Sequence, residues 1–301
     1  MRILLLGGVG QLGTELRRSL APLGELVVAT RSGHLDDGRP CERADFETPG
    51  SLASLVLRLS PALVVNAAAY TAVDRAETDS TTAFRVNADA PGAIADACAQ
   101  CDARFVHYST DYVFDGRGER PYREDDPVAP LGVYGASKRA GEEAVLGSPA
   151  RHMVFRTAWV YAAHGRNFLQ TMLRLAAERD ELRVVADQIG SPTPAGLIAD
   201  VTADIVARRD TPSGLWHLTA AGQTTWHGFA EAIINGAHRQ ALLEKRPRVA
   251  AITTADFPTP AARPAYSVLD CHRLQSTFGI TLPDWHDALG DVLDEMKTAR
   301  A

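Results

Sequence analysis

Arg2-Ile3-Leu4-Leu5-Leu6-Gly7-Gly8-Val9-Gly10-Gln11-Leu12-Gly13 is the stretch on which the reading of this chain turns. Ile3 to Leu6 are apolar without alternation, the pattern of a strand buried on both faces of a parallel sheet. The run stops at glycines 7, 10 and 13, and Thr14 to Leu20 continue as an amphipathic helix. A strand, a glycine turn and a helix N-terminus together make an anion site. Backbone N–H groups and the positive end of the helix dipole point at a pyrophosphate there. The opening also superficially resembles a signal peptide, but its apolar part is too short and runs straight into the glycines.

Outward from this turn, strand and helix patterns alternate. Leu26 to Ala29 reads as a second strand and ends in Thr30-Arg31-Ser32. An acidic residue at that end would bind a ribose 2′-hydroxyl, whereas an Arg accepts a 2′-phosphate. Arg31 therefore predicts that NADPH is at least accepted. A helix over 51–59 leads to strand 63–66, whose end, Asn66 to Thr71, is rich in small residues that let a flat cofactor approach the backbone. Helices are expected over 74–77 and 83–99, then a strand over 104–108 that runs into Ser109-Thr110-Asp111. A Pro- and Gly-containing loop over 117–133 returns the chain to a helix from Tyr134 to about Gly147. A fifth strand over 153–156, a helix over 167–178, a segment 182–185, a helix over 197–208 and a late strand over 214–218 follow. From Thr225 the pattern predicts mostly helices joined by Pro-rich loops. The alternation predicts an α/β fold, a right-handed doubly wound parallel sheet with a smaller, mostly helical C-terminal substrate-binding domain. The cofactor domain is expected over 1–160, rejoined at about 197–220, and the cap over 161–196 and 221–301.

Among its 301 residues, 46% are hydrophobic and 23% charged, as in a water-soluble globular protein, and the net charge of -6 argues against a nucleic-acid partner. No apolar run is long enough to span a bilayer. The four cysteines make no disulfide framework for a chain of this size, and Cys98 and Cys101, although spaced CxxC, have no second pair or ligand His nearby. They are expected to be small buried or half-buried residues in a cytoplasmic protein.

Tyr134-Gly-Ala-Ser-Lys138 carries the chemistry. At helical spacing its Tyr and Lys share one face, and an ammonium beside a phenol is expected to lower the phenol's pKa. Such a pair beside a nicotinamide suits general acid-base work on a carbonyl or alcohol.

The order of the glycine turn, Ser109/Thr110 and Tyr134/Lys138 resembles that of the extended short-chain dehydrogenase/reductases, a Rossmann-fold family. Within it the chain is similar to the dTDP-4-dehydrorhamnose reductases. The resemblance rests on Gly10 to Gly13, Asn66 to Asp74, Ser109 to Gly116, Val133 to Gly135, Arg156 to Tyr161, Asp187 to Thr193 and Arg263-Pro264. It implies reduction of the C4 ketone of dTDP-4-dehydro-6-deoxy-L-mannose to dTDP-L-rhamnose with NADPH or NADH. It implies further that Tyr134 protonates the alkoxide, that Lys138 assists it and holds the ribose, and that Thr110 bonds the carbonyl oxygen. Asp111 and Trp159 would meet the dTDP-sugar, and Arg263, held between Pro260 and Pro264 in a stiff loop, is expected to reach its pyrophosphate. Gly10, Gln11, Leu12, Asp45, Phe46, Ala69, Tyr70, Thr71 and Tyr108 would line the cofactor, beside Gly7, Gly13 and Arg31, which the turn and the second strand place there. Some relatives carry an acidic residue where Thr30-Arg31 stands, so strict NADH use is not expected. Some relatives bind Mg²⁺ between subunits through glutamates. Glu15 matches one of these, but Gly196 stands where another is expected, so no metal is expected in the chemistry. The resemblance allows a homodimer. Alternative readings are a 4-ketoreductase of another dTDP-deoxyhexose, or a silent regulatory subunit, which would be expected to lack the Tyr or Lys.

Overall fold

The computed structural model describes residues 1–208 and 210–299. β1 (Arg2–Leu6) turns through the glycines into α1 (Gln11–Leu20), and β2 (Glu25–Thr30), the short β3 (Glu42–Arg43), α2 (Pro49–Leu59) and β4 (Leu63–Asn66) follow. Short helices α3 (Val73–Ala76) and α4 (Ser80–Phe84), a π turn at Arg85–Asp89 and α5 (Ala90–Gln100) lead to β5 (Arg104–Thr110). After a long loop come α6 (Val133–Gly147), β6 (His152–Thr157), β7 (Val160–Tyr161), α7 (Phe168–Glu178) and β8 (Glu181–Val185). Two-residue strands β9 (Ile189–Gly190) and β10 (Thr193–Pro194) precede α8 (Ala195–Ala207) and β11 (Gly214–His217). The last elements are β12 (Thr224–Thr225), α9 (Trp226–Arg239), β13 (Arg248–Ile252), α10 (His272–Phe278) and α11 (Trp285–Thr298).

Seven strands form one parallel sheet in the order β3-β2-β1-β4-β5-β6-β11. The order reverses beside β1, which opens a crevice at the carboxyl ends of β1 and β4, where doubly wound sheets bind ligands. Alternate strand residues feed two cores. Ile3, Leu5, Val65, Val106, Tyr108 and Phe155 pack against α1, α8 and α10. Leu4, Leu6, Val64, Phe105 and Val154 pack against α2, α5 and α6. Because both faces are covered, the strands read as unbroken apolar runs.

A third core joins α7, α9 and α11 through Leu169, Leu173, Phe229, Ile233, Leu289 and Leu293. The expectation of mostly helices after Thr225 does not name β13, which pairs in parallel with β8. Arg-Val-Ala-Ala-Ile carries no two-residue period; its partner strand, not its own pattern, makes it extended. The expected helix over 83–99 is also broken by the π turn just before Pro91. Proline cannot donate to the carbonyl one turn back, and the wider turn absorbs that loss.

Candidate active site

Gly7 has φ +81, and a Cβ there would lie 2.7 Å from the Ala68 backbone nitrogen. A Cβ on Gly13 would lie 2.0 Å from the Gly7 carbonyl oxygen, so this glycine lets α1 press against the turn. Gly10 differs: its Cβ would meet only Gly7 O, at an ordinary 3.5 Å, so the protein's own packing does not demand a glycine there. The space above Gly10 belongs to a cleft of about 380 Å³ at the sheet's switch point.

Of the residues expected at the cofactor, Gly7, Gly10, Gln11, Leu12, Arg31, Phe46, Ala69, Thr71, Tyr108, Tyr134 and Lys138 line this cleft. Gly13 lies under the turn. Asp45 is turned to its own backbone, where its carboxylate accepts the Glu47 N–H (3.1 Å). The Tyr70 hydroxyl points away and donates to Asp79 (3.1 Å). Arg31 is exposed at the cleft's edge, with no ion-pair partner among the described residues.

Tyr134 and Lys138 come from the first two turns of α6. Lys138 Nζ is buried and donates to the Tyr108 carbonyl oxygen (2.6 Å). Burial lowers Lys138 to about 8, opposed by the Glu142 carboxylate one helical turn later. The expected lowering of the phenol does not occur. Burial pushes Tyr134 up to about 12, partly offset by its hydrogen bond to Thr110. Desolvation, with the Asp111 charge adding to it, outweighs that bond, and the phenol stays protonated at neutral pH, the form an acid must have.

Thr110 ends β5, accepts the Tyr112 N–H (3.2 Å) and donates to Asp111 Oδ1 (2.9 Å). A hydroxyl has one hydrogen. While Asp111 holds it, Thr110 cannot give it to a ketone, so the expected carbonyl contact requires that bond to turn. Burial pushes Asp111 up to about 6, so near neutrality the neutral acid, itself a donor, lies within reach.

Under α6 lies a buried ion pair. Arg156 of β6 gives Nε and Nη2 to the two Glu142 oxygens (2.7 and 2.8 Å). Burying two charges carries a large desolvation cost, and breaking such a pair costs about 3–5 kcal/mol. It therefore locks α6, and with it Tyr134, to the sheet. Asn87 of the π turn adds a second lock: it bonds the Tyr70 backbone in both directions and donates to Ser137 Oγ (3.0 Å). Sequence reasoning missed Asn87, Glu142 and Arg156 as site supports. Lys138 and Glu142 at i and i+4 on one buried face were the available signal.

The cap holds a second cavity of about 430 Å³. Phe168, Met172, Leu175 and Trp226 give it an apolar floor, and Arg179, Arg183 and Arg263 border it. Trp159, with φ +47, stacks flat on Trp226 (centroids 3.5 Å apart, 5° between planes), so one of its faces is already covered. Arg263 is not a free guanidinium: it makes two bonds to Asp74 (3.1 and 2.9 Å) beside the cavity. Glu15 bonds His164 Nε2 (2.8 Å) and Arg18 (3.4 Å). No group of three or more His, Cys, Asp or Glu among the described residues could hold a metal, and all four cysteines are free.

A family model described as the RmlD substrate binding domain matches residues 1–298. The chain belongs to that family. It is 49% identical to a dTDP-4-dehydrorhamnose reductase of Burkholderia thailandensis, an alignment covering 96% of this chain and 97% of that protein. Among solved structures it is similar to a dTDP-4-dehydrorhamnose reductase from Clostridium acetobutylicum (TM-score 0.89, 34% identity, 99% of this chain and 100% of that one). It is also similar to the Bacillus anthracis dTDP-4-dehydrorhamnose reductase in complex with NADP (TM-score 0.88, 32% identity, 98% and 99% of the two chains). No helix among the described residues is long and apolar enough to cross a membrane.

Proposed function

We infer that this member of the RmlD family is an NAD(P)H-dependent dTDP-4-dehydrorhamnose reductase, which reduces the C4 ketone of dTDP-4-dehydro-6-deoxy-L-mannose to dTDP-L-rhamnose. The observation that carries this reading is the meeting of Tyr134, Lys138 and the glycine turn in one cleft. The cleft's residues suit a dinucleotide: open space over Gly10, an unpaired Arg31 and a buried Thr157 hydroxyl without a partner. When bound, the nicotinamide supplies the hydride. Tyr134 gives its proton to the oxygen that gains charge at C4, and the Lys138 ammonium stabilises the phenolate left behind. The Phe168 and Trp226 floor and the arginine border of the cap cavity suit a thymine base and its diphosphate. In this reading Asp111 and Trp159 face the sugar. Residues 1–160 and 197–220 form the cofactor part, with 161–196 and 221–301 as the cap, although α10 lies against the sheet.

The four free cysteines support a cytoplasmic location. A homodimer is part of the same reading, checked by light scattering. Glu15, already paired, is not assigned a metal. The deciding experiment offers the purified protein NADPH and a panel of dTDP-4-keto sugars, with the product alcohol identified by NMR. Turnover confined to a different keto sugar overturns the substrate. Tyr134→Phe should still bind NADPH but lose ~10²–10⁴-fold in turnover; a loss of only a few-fold would put the proton donor elsewhere.

A further inference from the structure

The helix that carries Tyr134 has no cap of its own. Gly132 is its N-cap residue and offers no side chain. The orphan N–H of Val133, next to Tyr134, is instead taken by Glu77 Oε1 (2.9 Å), which reaches across from the end of α3. The two positions fit each other: a Cβ on Gly132 would lie 2.5 Å from that same carboxylate oxygen. Three residues earlier, Asp74 accepts the Ala261 N–H (3.2 Å) and two bonds from Arg263. One short helix therefore holds the start of the catalytic helix at one end and the loop beside the cap cavity at the other. Between them, Tyr112 packs edge-on to Tyr134 (centroids 5.6 Å apart).

We propose that Glu77 is a positioning residue for the reduction: by capping α6 from α3 it fixes where the Tyr134 hydroxyl meets the ketone, and Asp74 ties that setting to the Arg263 loop. A carboxylate facing a helix N-terminus satisfies an orphan donor and complements the dipole. Without it the first turn frays, and Tyr134 is the second residue of that turn. An ångström of misplacement at a reacting group costs on the order of 10²-fold in rate. The proposal rests on the reading of Tyr134 as proton donor.

The test compares Glu77→Ala, Glu77→Gln, Asp74→Asn and the parent, with Tyr134→Phe alongside. Steady-state turnover of the dTDP-keto sugar and its solvent deuterium isotope effect are measured, with the active fraction fixed by NADPH titration. Glu77→Ala should lower kcat by ~10–100-fold, leave the NADPH Kd within about twofold and raise the isotope effect, because proton transfer becomes slower. A folding defect alone lowers the active fraction and leaves the isotope effect unmoved. Glu77→Gln, which can still accept from Val133, should return kcat to within a few-fold. In the Glu77→Ala background Gly132→Ser has room for a cap in cis and should also recover rate. The Glu77→Ala/Asp74→Asn pair should lose no more kcat than Glu77→Ala alone, since the tie is already cut. An unchanged kcat or isotope effect in Glu77→Ala, or failure of both rescues, overturns the role of Glu77, and additive losses overturn the tie. If Tyr134→Phe itself keeps its activity, the proton-donor reading falls and the proposal falls with it; if only Glu77→Ala keeps it, the proposal alone falls.

Discussion

At the scale of single residues, the site works by controlled burial of charge. Lys138 sits at about 8, with burial as the larger cause and Glu142 opposing it. The ammonium is the form that stabilises a phenolate, so kcat/KM for the cofactor should fall as pH rises through about 8. Tyr134, at about 12, contributes no inflection of its own in that range. Glu142→Gln removes the anion that raises Lys138 and leaves Arg156 unpaired nearby. Both changes disfavour the ammonium, so the alkaline limb should move to lower pH, at a stability cost of about 3–5 kcal/mol. A limb that stays put in the folded variant would detach it from Lys138. Arg31 is the second residue-scale handle. With no carboxylate partner among the described residues, it can meet a 2′-phosphate. Arg31→Asp should shift the ratio of kcat/KM values from NADPH toward NADH, and an unaltered ratio would remove Arg31 from the ribose site.

At the scale of elements, the glycine turn is the most constrained piece. Gly13→Ala would drive a methyl to 2.0 Å from the Gly7 carbonyl, backbone against backbone, which no rotamer change relieves. Overpacking of this kind costs about 1–3 kcal/mol. The variant should have a lower Tm and a weaker NADPH Kd, read by calorimetry and fluorescence titration. Native stability with native affinity would mean that α1 moves freely on the turn. The same turn shows why much of the fold was legible in the sequence. Unbroken apolar runs such as Leu63 to Val65 and the glycines at fixed spacing are local signals, and each strand expected in the first half lies within two residues of its place, whereas the two-residue β3 (Glu42–Arg43) was not expected. What was not legible depends on partners distant in the chain. β13 exists because β8 pairs with it, and the π turn because Pro91 follows it. The cap on α6 comes from Glu77, 56 residues away, and Arg263 lost its freedom to Asp74, 189 residues away. For the site, most of the motif residues line one cleft, whereas Tyr70 and Asp45 turned elsewhere because neighbouring polar groups satisfied them. The direction of the Tyr134 shift needed the three-dimensional burial that no spacing reveals.

At the scale of the whole molecule, the question is whether sheet and cap behave as one body. Small polar interfaces between domains favour independent motion. Here the connections are of another kind. Leu197 of α8 packs against both the sheet core and the cap core. Asn167, which caps α7, also donates to Gln11 of the glycine turn (2.8 Å), and His164 bonds Glu15 of α1 (2.8 Å). Asp74 and Arg263 add an ion pair on the other side of the cleft. The cavity bordered by Phe168, Trp226 and Arg263 thus lies in a part of the chain whose core is continuous with the part that carries the glycine turn. A single cooperative thermal transition should follow, and either ligand alone should raise it. At ~100-fold excess over Kd each ligand adds about 2.7 kcal/mol, which for a chain of this size is on the order of 5 °C. NADPH and dTDP added together should raise the same transition further, with free energies close to the sum. Calorimetry decides this: two transitions, one moved by NADPH and the other by dTDP, would show that the ties between sheet and cap are too weak to carry the effect of one ligand to the other's site.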